Sequence, residues 1–381
     1  MVTDRAYLKG ARMGAGLSQL DAEISSVLGV LMSSGADRVE PEVLQPADVL
    51  LDLYGEDIRA RAFVTRDDRA EMMLRPDFTV PLVRLHAAAE LEEARYAYCG
   101  PVWRRQEFGS ERPREYLQAG FELFGASDQA TADAEVLSLI MEAVGDAGVR
   151  FVTGDMGLAI SAIDALDTSD ARKAALRRHL WRPQRFQSLL RRYGVDHALH
   201  VEKRRELVEV LNSGGLDAAI RDAGKPVGLR SADEVARRVR ALADECEIAP
   251  LDPGAVSFLE AVLAVKGSST EALARLRDLQ DGQAGFTRAV DRLEARLAAF
   301  EARGIDPEGL AFEGSFGRTT LEYYDGFVFG AEAVDAPDLP AVASGGRYDA
   351  LTRTLSQGEG MTAVGGMIRV EALAALRRAG A

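Results

Sequence analysis

Two stretches rich in aromatic residues constrain the fold more than anything else in the chain. "RYAYCGPVWRRQ" (95–106) and "EYLQAGFELFGA" (115–126) alternate, and a polar segment with glycine and proline, "EFGSERPR", lies between them. This pattern predicts a long β-hairpin. Successive strand residues point to opposite faces. In the second strand Leu117, Ala119, Phe121 and Leu123 form an apolar face, while Gln118, Gly120 and Glu122 share the other. A carboxylate in such a sheet is costly unless something answers it. Two readings follow: a cationic or hydrogen-bonding ligand above Gly120 that serves Gln118 and Glu122, or an edge strand with one wet face. On the first strand the same alternation sets Arg104 and Gln106 on one face and Arg105 on the other.

Strand-like segments return after 310 as "LAFEGSFGR", "LEYYDGFVFGAE", "PAVASGGRYD" and "TAVGGMI". Near the start, Leu20, Ile24, Val27, Leu28 and Leu31 recur at helical spacing over 18–34, with Gly35 as the stop. "DRVEPEVLQP" (37–46) reads as extended, and Pro41 in it argues for an edge or an interface. Residues 128–148 read as a helix, 149–156 as a strand, and 156–303 as mostly helical. β-rich segments that flank a helical middle indicate an α+β fold, one antiparallel sheet assembled from both ends with a helical insertion. The expected division is a core of 1–155 with 310–381, and a helical middle of 156–309.

Charge narrows the function. A formal net charge of −14 and a pI near 5.0 argue against a nucleic-acid-binding protein as a whole. Two distant cysteines, Cys99 and Cys246, suit a reducing compartment. No apolar run reaches membrane-spanning length, and "MVTDRAYLKGARMG" lacks the apolar stretch of a signal peptide, so a cytoplasmic protein without membrane contact is expected. Residues 171–192 hold eight Lys/Arg and no acid, either a solvated helical face or a docking surface for an acidic partner. His197 and His200 give only a weak spacing signal, and no metal site is expected.

Other segments are suggestive singly. In "LRPDFTVPLVR" (74–84), Thr79 suits a helix cap and Asp77 a helix N-terminus. Alternation in "LEYYDGFVF" puts Tyr324 and Gly326 on one face, and Tyr348 closely follows a Gly-Gly pair, which fits an aromatic pocket or an ordinary core equally. "AVGGMIRVEALAALRRAGA" (363–381) reads as a strand running through a glycine turn into a helix, the form of an anion site, yet with Ala372 where a charge would serve.

Taken in order along one chain, "LRPDFTVPLVR", "YCGPVWRRQEFGSERPREYLQAGFELFG", "LEYYDGFVF", "SGGRYD" and "AVGGMIRVEAL" resemble the catalytic core of histidyl-tRNA synthetase, a class II aminoacyl-tRNA synthetase. The resemblance implies that Pro41 belongs to the first class II motif at a dimer interface, the hairpin to the second and 363–373 to the third. It implies a histidine pocket of Asp77, Gln118, Glu122, Tyr324 and Tyr348, with Asp77 a shortened form of the usual Glu. Arg104 matches the arginine that meets the α-phosphate and the substrate carboxylate. Several positions depart from the synthetase: Gln106 stands for an acid, Thr319 for the catalytic-loop arginine, Ala372 for the ATP-clamping arginine and Arg369 for a glycine. Arg318 is adjacent to the lost arginine but out of register, so it is expected to face away. Losing one such donor costs roughly 10²–10³ in rate.

No anticodon-binding domain is expected after the third motif. This combination is similar to the regulatory subunits of ATP phosphoribosyltransferase, paralogues of the synthetase. That resemblance implies a non-catalytic homodimer that joins the short-form catalytic subunit in a hetero-octamer for the first step of L-histidine biosynthesis, without a cofactor and with histidine as feedback ligand. Two alternatives stand beside it. One is a histidine-activating, adenylate-forming ligase with a non-tRNA acceptor, Arg369 substituting for Ala372 from one helical turn away. The other is a histidine sensor without a transferase partner.

Overall fold

The computed structural model describes residues 13–380 apart from 48–60, 67, 69, 108–109, 111, 223–230, 281–283, 319–322, 337–338 and 357–359. The N-terminal helix α1 (Ala15–Met32) ends near Gly35, whose φ of 80° suits glycine. Short strands β1 (Asp37–Arg38) and β2 (Leu44–Pro46) follow, then β3 (Val64–Arg66), β4 (Glu71–Leu74) and helix α2 (Thr79–Ala89). The hairpin is β5 (Ala94–Trp103) and β6 (Glu115–Phe124), succeeded by α3 (Gln129–Val144), β7 (Val149–Asp155) and α4 (Met156–Asp164). Helices α5 (Asp170–Arg178), α6 (Pro183–Tyr193), α7 (His197–Glu202), α8 (Arg205–Asn212), α9 (Leu216–Asp222), α10 (Ala232–Cys246) and α11 (Pro253–Ala264) come next. The remaining elements are β8 (Lys266–Ser268), α12 (Ser269–Leu279), α13 (Ala284–Ala302), β9 (Ala311–Glu313), β10 (Phe327–Ala333), β11 (Ala343–Arg347), α14 (Asp349–Leu355), β12 (Ala363–Arg369) and α15 (Val370–Gly380).

Nine strands form one sheet in the order β1-β5-β6-β12-β11-β10-β7-β9-β8, and β2, β4 and β3 form a second. The large sheet is antiparallel except at β1–β5 and β7–β9. The chain's last strand therefore lies beside the hairpin, near the middle of the sheet. β6 pairs with β5 on one side and β12 on the other, so it is not the edge strand that its polar face allowed. β8, a three-residue strand inside the otherwise helical middle, is too short to read from alternation.

The Gly365-Gly366 pair corrects another expectation. It is not a turn but lies within β12, where each glycine opens one face of the sheet. A Cβ on Gly366 would lie 2.9 Å from Ile140 of α3, and one on Gly365 would lie 1.5 Å from the Glu122 carboxylate. Two smaller expectations also change. β5 ends at Trp103, so strand alternation does not apply to Arg104–Gln106. β10 starts at Phe327, so Tyr324 and Gly326 precede the strand.

On the face opposite the pocket, α3 is capped by Asp128, which accepts hydrogen bonds from the backbone N–H groups of Ala130 and Thr131. Its Asp133 is buried and accepts from Arg296 Nε of α13 at 2.7 Å and Arg347 Nη2 of β11 at 2.6 Å. Arg296 also donates to Asp155 at 2.7 Å, and Arg347 to Asp349 at 3.0 Å. Guanidinium groups matched to carboxylates in this way tie α3, α13, β7 and β11 together. In the helical middle the basic stretch is largely engaged internally. Arg172 is buried and donates to the carbonyls of Ala249, Glu245 and Ile248, while Arg177, Arg191 and Arg192 pair with Asp164, Asp196 and Glu245. Arg178 and Arg185 remain exposed. Among the described residues, no helix is long and apolar enough to cross a membrane.

Candidate functional site

The polar face of β6 opens into a cavity of about 320 Å³. All six residues expected to form the pocket line it: Asp77, Arg104, Gln118, Glu122, Tyr324 and Tyr348. They arrive from five places. Asp77 lies just before α2, Gln118 and Glu122 lie on β6, Arg104 follows β5, and the two tyrosines flank β10 and β11. Tyr324 reaches the cavity from the loop before β10, its ring 2.8 Å from where a Cβ on Gly346 would sit.

Glu122 is the centre of the site. It is 2% exposed, and three hydroxyls face it. Tyr348 donates at 2.5 Å, Thr79 at 3.0 Å and Tyr98 at 3.4 Å. Burial pushes the carboxyl up to about 8, against the pull of those hydroxyls, and nearby Asp77 pushes the same way. Burial followed by the Glu122 charge also raises the tyrosine hydroxyls of Tyr98, Tyr324 and Tyr348. Its described hydrogen-bond partners include no cation. A ligand that brings positive charge or strong N–H donors would satisfy the carboxylate better than the hydroxyls do.

Two of these partners, Thr79 and Tyr98, differ from the sequence expectation. Thr79 is not the cap of α2; Phe78 holds that position, and the Thr79 hydroxyl turns to Glu122 instead. Tyr98 fills the space above Gly120 that one of the two readings gives to a ligand: a Cβ on Gly120 would lie 2.3 Å from its hydroxyl. The two are directly opposed across the hairpin, so a pairing of the two predicted strands in register would have revealed it. Tyr98 also accepts a hydrogen bond from Gln118 Nε2 at 3.5 Å and stacks on Phe78 at 4.2 Å. Tyr323 donates to Thr79 at 3.4 Å.

Guanidinium groups line the cavity as well, those of Arg61, Arg104, Arg112 and Arg369. Arg104 donates from Nε to the Pro76 carbonyl at 3.0 Å, and its guanidinium carbon is 5.8 Å from the Tyr116 ring centre. Arg369 is the last residue of β12, not part of the following helix as expected, and pairs in register with Gln118. Burial lowers its guanidinium from the usual arginine range.

The departures from the synthetase pattern have these places. Ala372 is half-buried on α15 and packs against the core. Gln106 donates to the Pro113 carbonyl at 3.1 Å and holds the hairpin loop. Thr319 lies outside the described residues. Arg318 does point away from the cavity, although it sits in a turn instead of a strand: it donates to the Leu180 carbonyl at 2.8 Å and lies over the Phe186 ring. Arg75, buried beside the site, donates to the carbonyls of Pro101 and Pro41, which fixes the Pro41 segment to the hairpin. Among the described residues, no group of three or more His, Cys, Asp or Glu could hold a metal.

The sheet that carries this cavity belongs to a fold of the histidyl-tRNA synthetase type. The family model described as histidyl-tRNA synthetase matches residues 17–249 and 236–373. The crystal structure of an "ATP phosphoribosyltransferase regulatory subunit/histidyl-tRNA synthetase" from Bacillus halodurans superposes with a TM-score of 0.67 at 20% identity, covering 96% of this chain and 82% of that one. A histidine–tRNA ligase subunit from Alicyclobacillus acidocaldarius gives 0.60 at 22% identity, with 98% and 97% covered. Among curated proteins, the ATP phosphoribosyltransferase regulatory subunit of Brucella canis is 32% identical over 370 residues, 90% of this chain and 93% of that protein. The chain belongs to the family of ATP phosphoribosyltransferase regulatory subunits, built on a histidyl-tRNA synthetase fold.

Proposed function

We propose that this protein is the non-catalytic regulatory subunit of ATP phosphoribosyltransferase, needed by the short-form catalytic subunit for the first step of L-histidine biosynthesis, and that its cavity takes L-histidine as the feedback signal. One observation carries the reading: the pocket around Glu122 is intact, while the clamp position holds Ala372, half-buried against the core. A site that keeps its amino-acid end and lacks a nucleotide-clamping arginine suits binding better than adenylate formation. The core of 1–155 and 310–381 carries the pocket and a homodimer contact around Pro41. The mostly helical region 156–309 extends from it. The dimer assembles with the catalytic subunit into a hetero-octamer in the cytoplasm.

The test is an assay of phosphoribosyl-ATP formation by the short-form catalytic subunit with and without this chain. Stimulation by the chain, reversed by histidine, is expected. No stimulation overturns the proposal, and histidine-dependent pyrophosphate exchange by the chain alone would favour the ligase alternative.

A further inference from the structure

Arg369 occupies an unusual position. Its backbone is locked in β12 opposite Gln118, and its side chain lines the cavity with that of Arg104, each guanidinium carbon 5.8 Å from the Tyr116 ring centre. Its described polar partners are the Ala341 carbonyl and the Tyr116 phenol, neither of which is a carboxylate. Arginine stays protonated in proteins, so a desolvated guanidinium is best satisfied by an anion. Desolvation and the neighbouring Arg104 charge both act against Arg369 in the unliganded protein. The cavity is thus lined by both signs of charge: the acids Asp77 and Glu122, and the guanidiniums of Arg104 and Arg369. Its volume of about 320 Å³ sits at the small end of ligand pockets, which run from ~300 to ~1,000 Å³.

We infer that Arg369, together with Arg104, binds the free carboxylate of an α-amino acid whose cationic or N–H-bearing groups lie toward Glu122 and Asp77. This rests on the reading of the cavity as an amino-acid site and assigns its carboxylate end. A residue that stands where the synthetase pattern has glycine then does two things. It fills space that glycine would leave open, and it supplies a guanidinium on this cavity when Ala372 supplies none. A planar, permanently charged donor is well matched to a carboxylate. The site reports free amino acid with its carboxylate intact.

The experiment compares histidine with histidinol, which keeps the imidazole and the amine but carries a hydroxymethyl group in place of the carboxylate. Binding of each to the full chain is measured by calorimetry for the native protein and for Arg369→Met. The native chain is expected to prefer histidine at least tenfold. In Arg369→Met the preference is expected to collapse to within about twofold, with histidinol binding unchanged; that unchanged binding also shows that the variant's pocket is folded. If Arg369→Met retains the full preference for histidine, the assignment of Arg369 is wrong while the amino-acid reading survives. If the variant binds neither compound, Arg369→Lys decides: recovery of histidinol binding together with a reduced preference supports the assignment, and recovery of both ligands in the native ratio overturns it. If the native chain binds neither compound, the amino-acid reading fails, and the assignment with it.

Discussion

Two buried carboxylates, Asp133 and Glu122, lie on opposite sides of the same sheet and are treated in opposite ways. Asp133 is met by the guanidinium groups of Arg296 and Arg347 at 2.7 and 2.6 Å. Glu122 is met by three hydroxyls, and burial raises its carboxyl to about 8. Full charge pairing inside a protein ties elements together and leaves nothing to bind. Hydroxyl pairing keeps the carboxyl in place at modest gain and gives it no cationic partner. The first site is architecture. The second is the proposed ligand site, held together by neutral hydroxyls.

The contrast can be broken most severely at Asp133. Asp133→Ala leaves two buried guanidiniums with reduced compensation, and a loss of about 3–5 kcal/mol is expected in a denaturant titration. A loss below 1 kcal/mol would mean that the cluster is not architectural.

Glu122→Gln should act in the other sense. At pH 5, where the folded carboxyl keeps its proton, stability is expected to change by less than about 1 kcal/mol, because the hydroxyls can still hydrogen-bond an amide. Histidine binding by calorimetry is expected to weaken by about 10–100-fold, the range for a hydrogen bond to a charged group.

The same variant has a pH signature. In the folded state the carboxyl sits near 8, above its ordinary value of 4.5, so the folded protein holds a proton that the unfolded chain releases. The stabilising effect of that proton is complete below about 4.5 and is lost as pH rises through about 8. Native stability relative to Glu122→Gln is therefore expected to fall from pH 5 to pH 8 and level off above it. Denaturant titrations of both proteins across that range check this, and parallel curves would contradict it.

Gly365→Ala sharpens the comparison at the backbone. Its methyl group would meet the Glu122 carboxylate, so a loss of about 1–3 kcal/mol, with displacement of Glu122 and weaker histidine binding, is expected. The smallest effect belongs to an exposed pair. Arg150 and Glu332 are 3.3 Å apart with side chains 57% and 47% exposed, and Arg150→Ala should change stability by less than about 1 kcal/mol.

Much of this was legible in the residues, for definable reasons. The period-2 pattern of 115–124 put Gln118 and Glu122 on one face, and tertiary structure kept them there because strand geometry is a local property. The family resemblance gathered Asp77, Arg104, Tyr324 and Tyr348 around them, and all six do line one cavity. What failed depended on neighbours. Whether β6 is edge or centre is decided by β12, some 240 residues away in sequence, not by its own pattern. Thr79 has the character of a cap, yet a buried carboxylate outcompetes the backbone for its hydroxyl. The glycine pair at 365–366 was read as a turn because glycine commonly marks turns, whereas here it admits a carboxylate on one side and α3 on the other.

The position of β12 also sets the order of events on the ribosome. The hairpin β5–β6 and strand β7 leave the ribosome long before β12, yet β11 and β12 are what join the two halves of the sheet. Until residues 363–369 are synthesised, β6 keeps an edge of unpaired backbone N–H and C=O groups, the kind of edge that pairs with other nascent chains. Closing a sheet across so long a sequence separation is slow. The pocket, which needs Gly365 and Arg369, is therefore completed last, and a truncated or stalled product has an open sheet in place of a binding site.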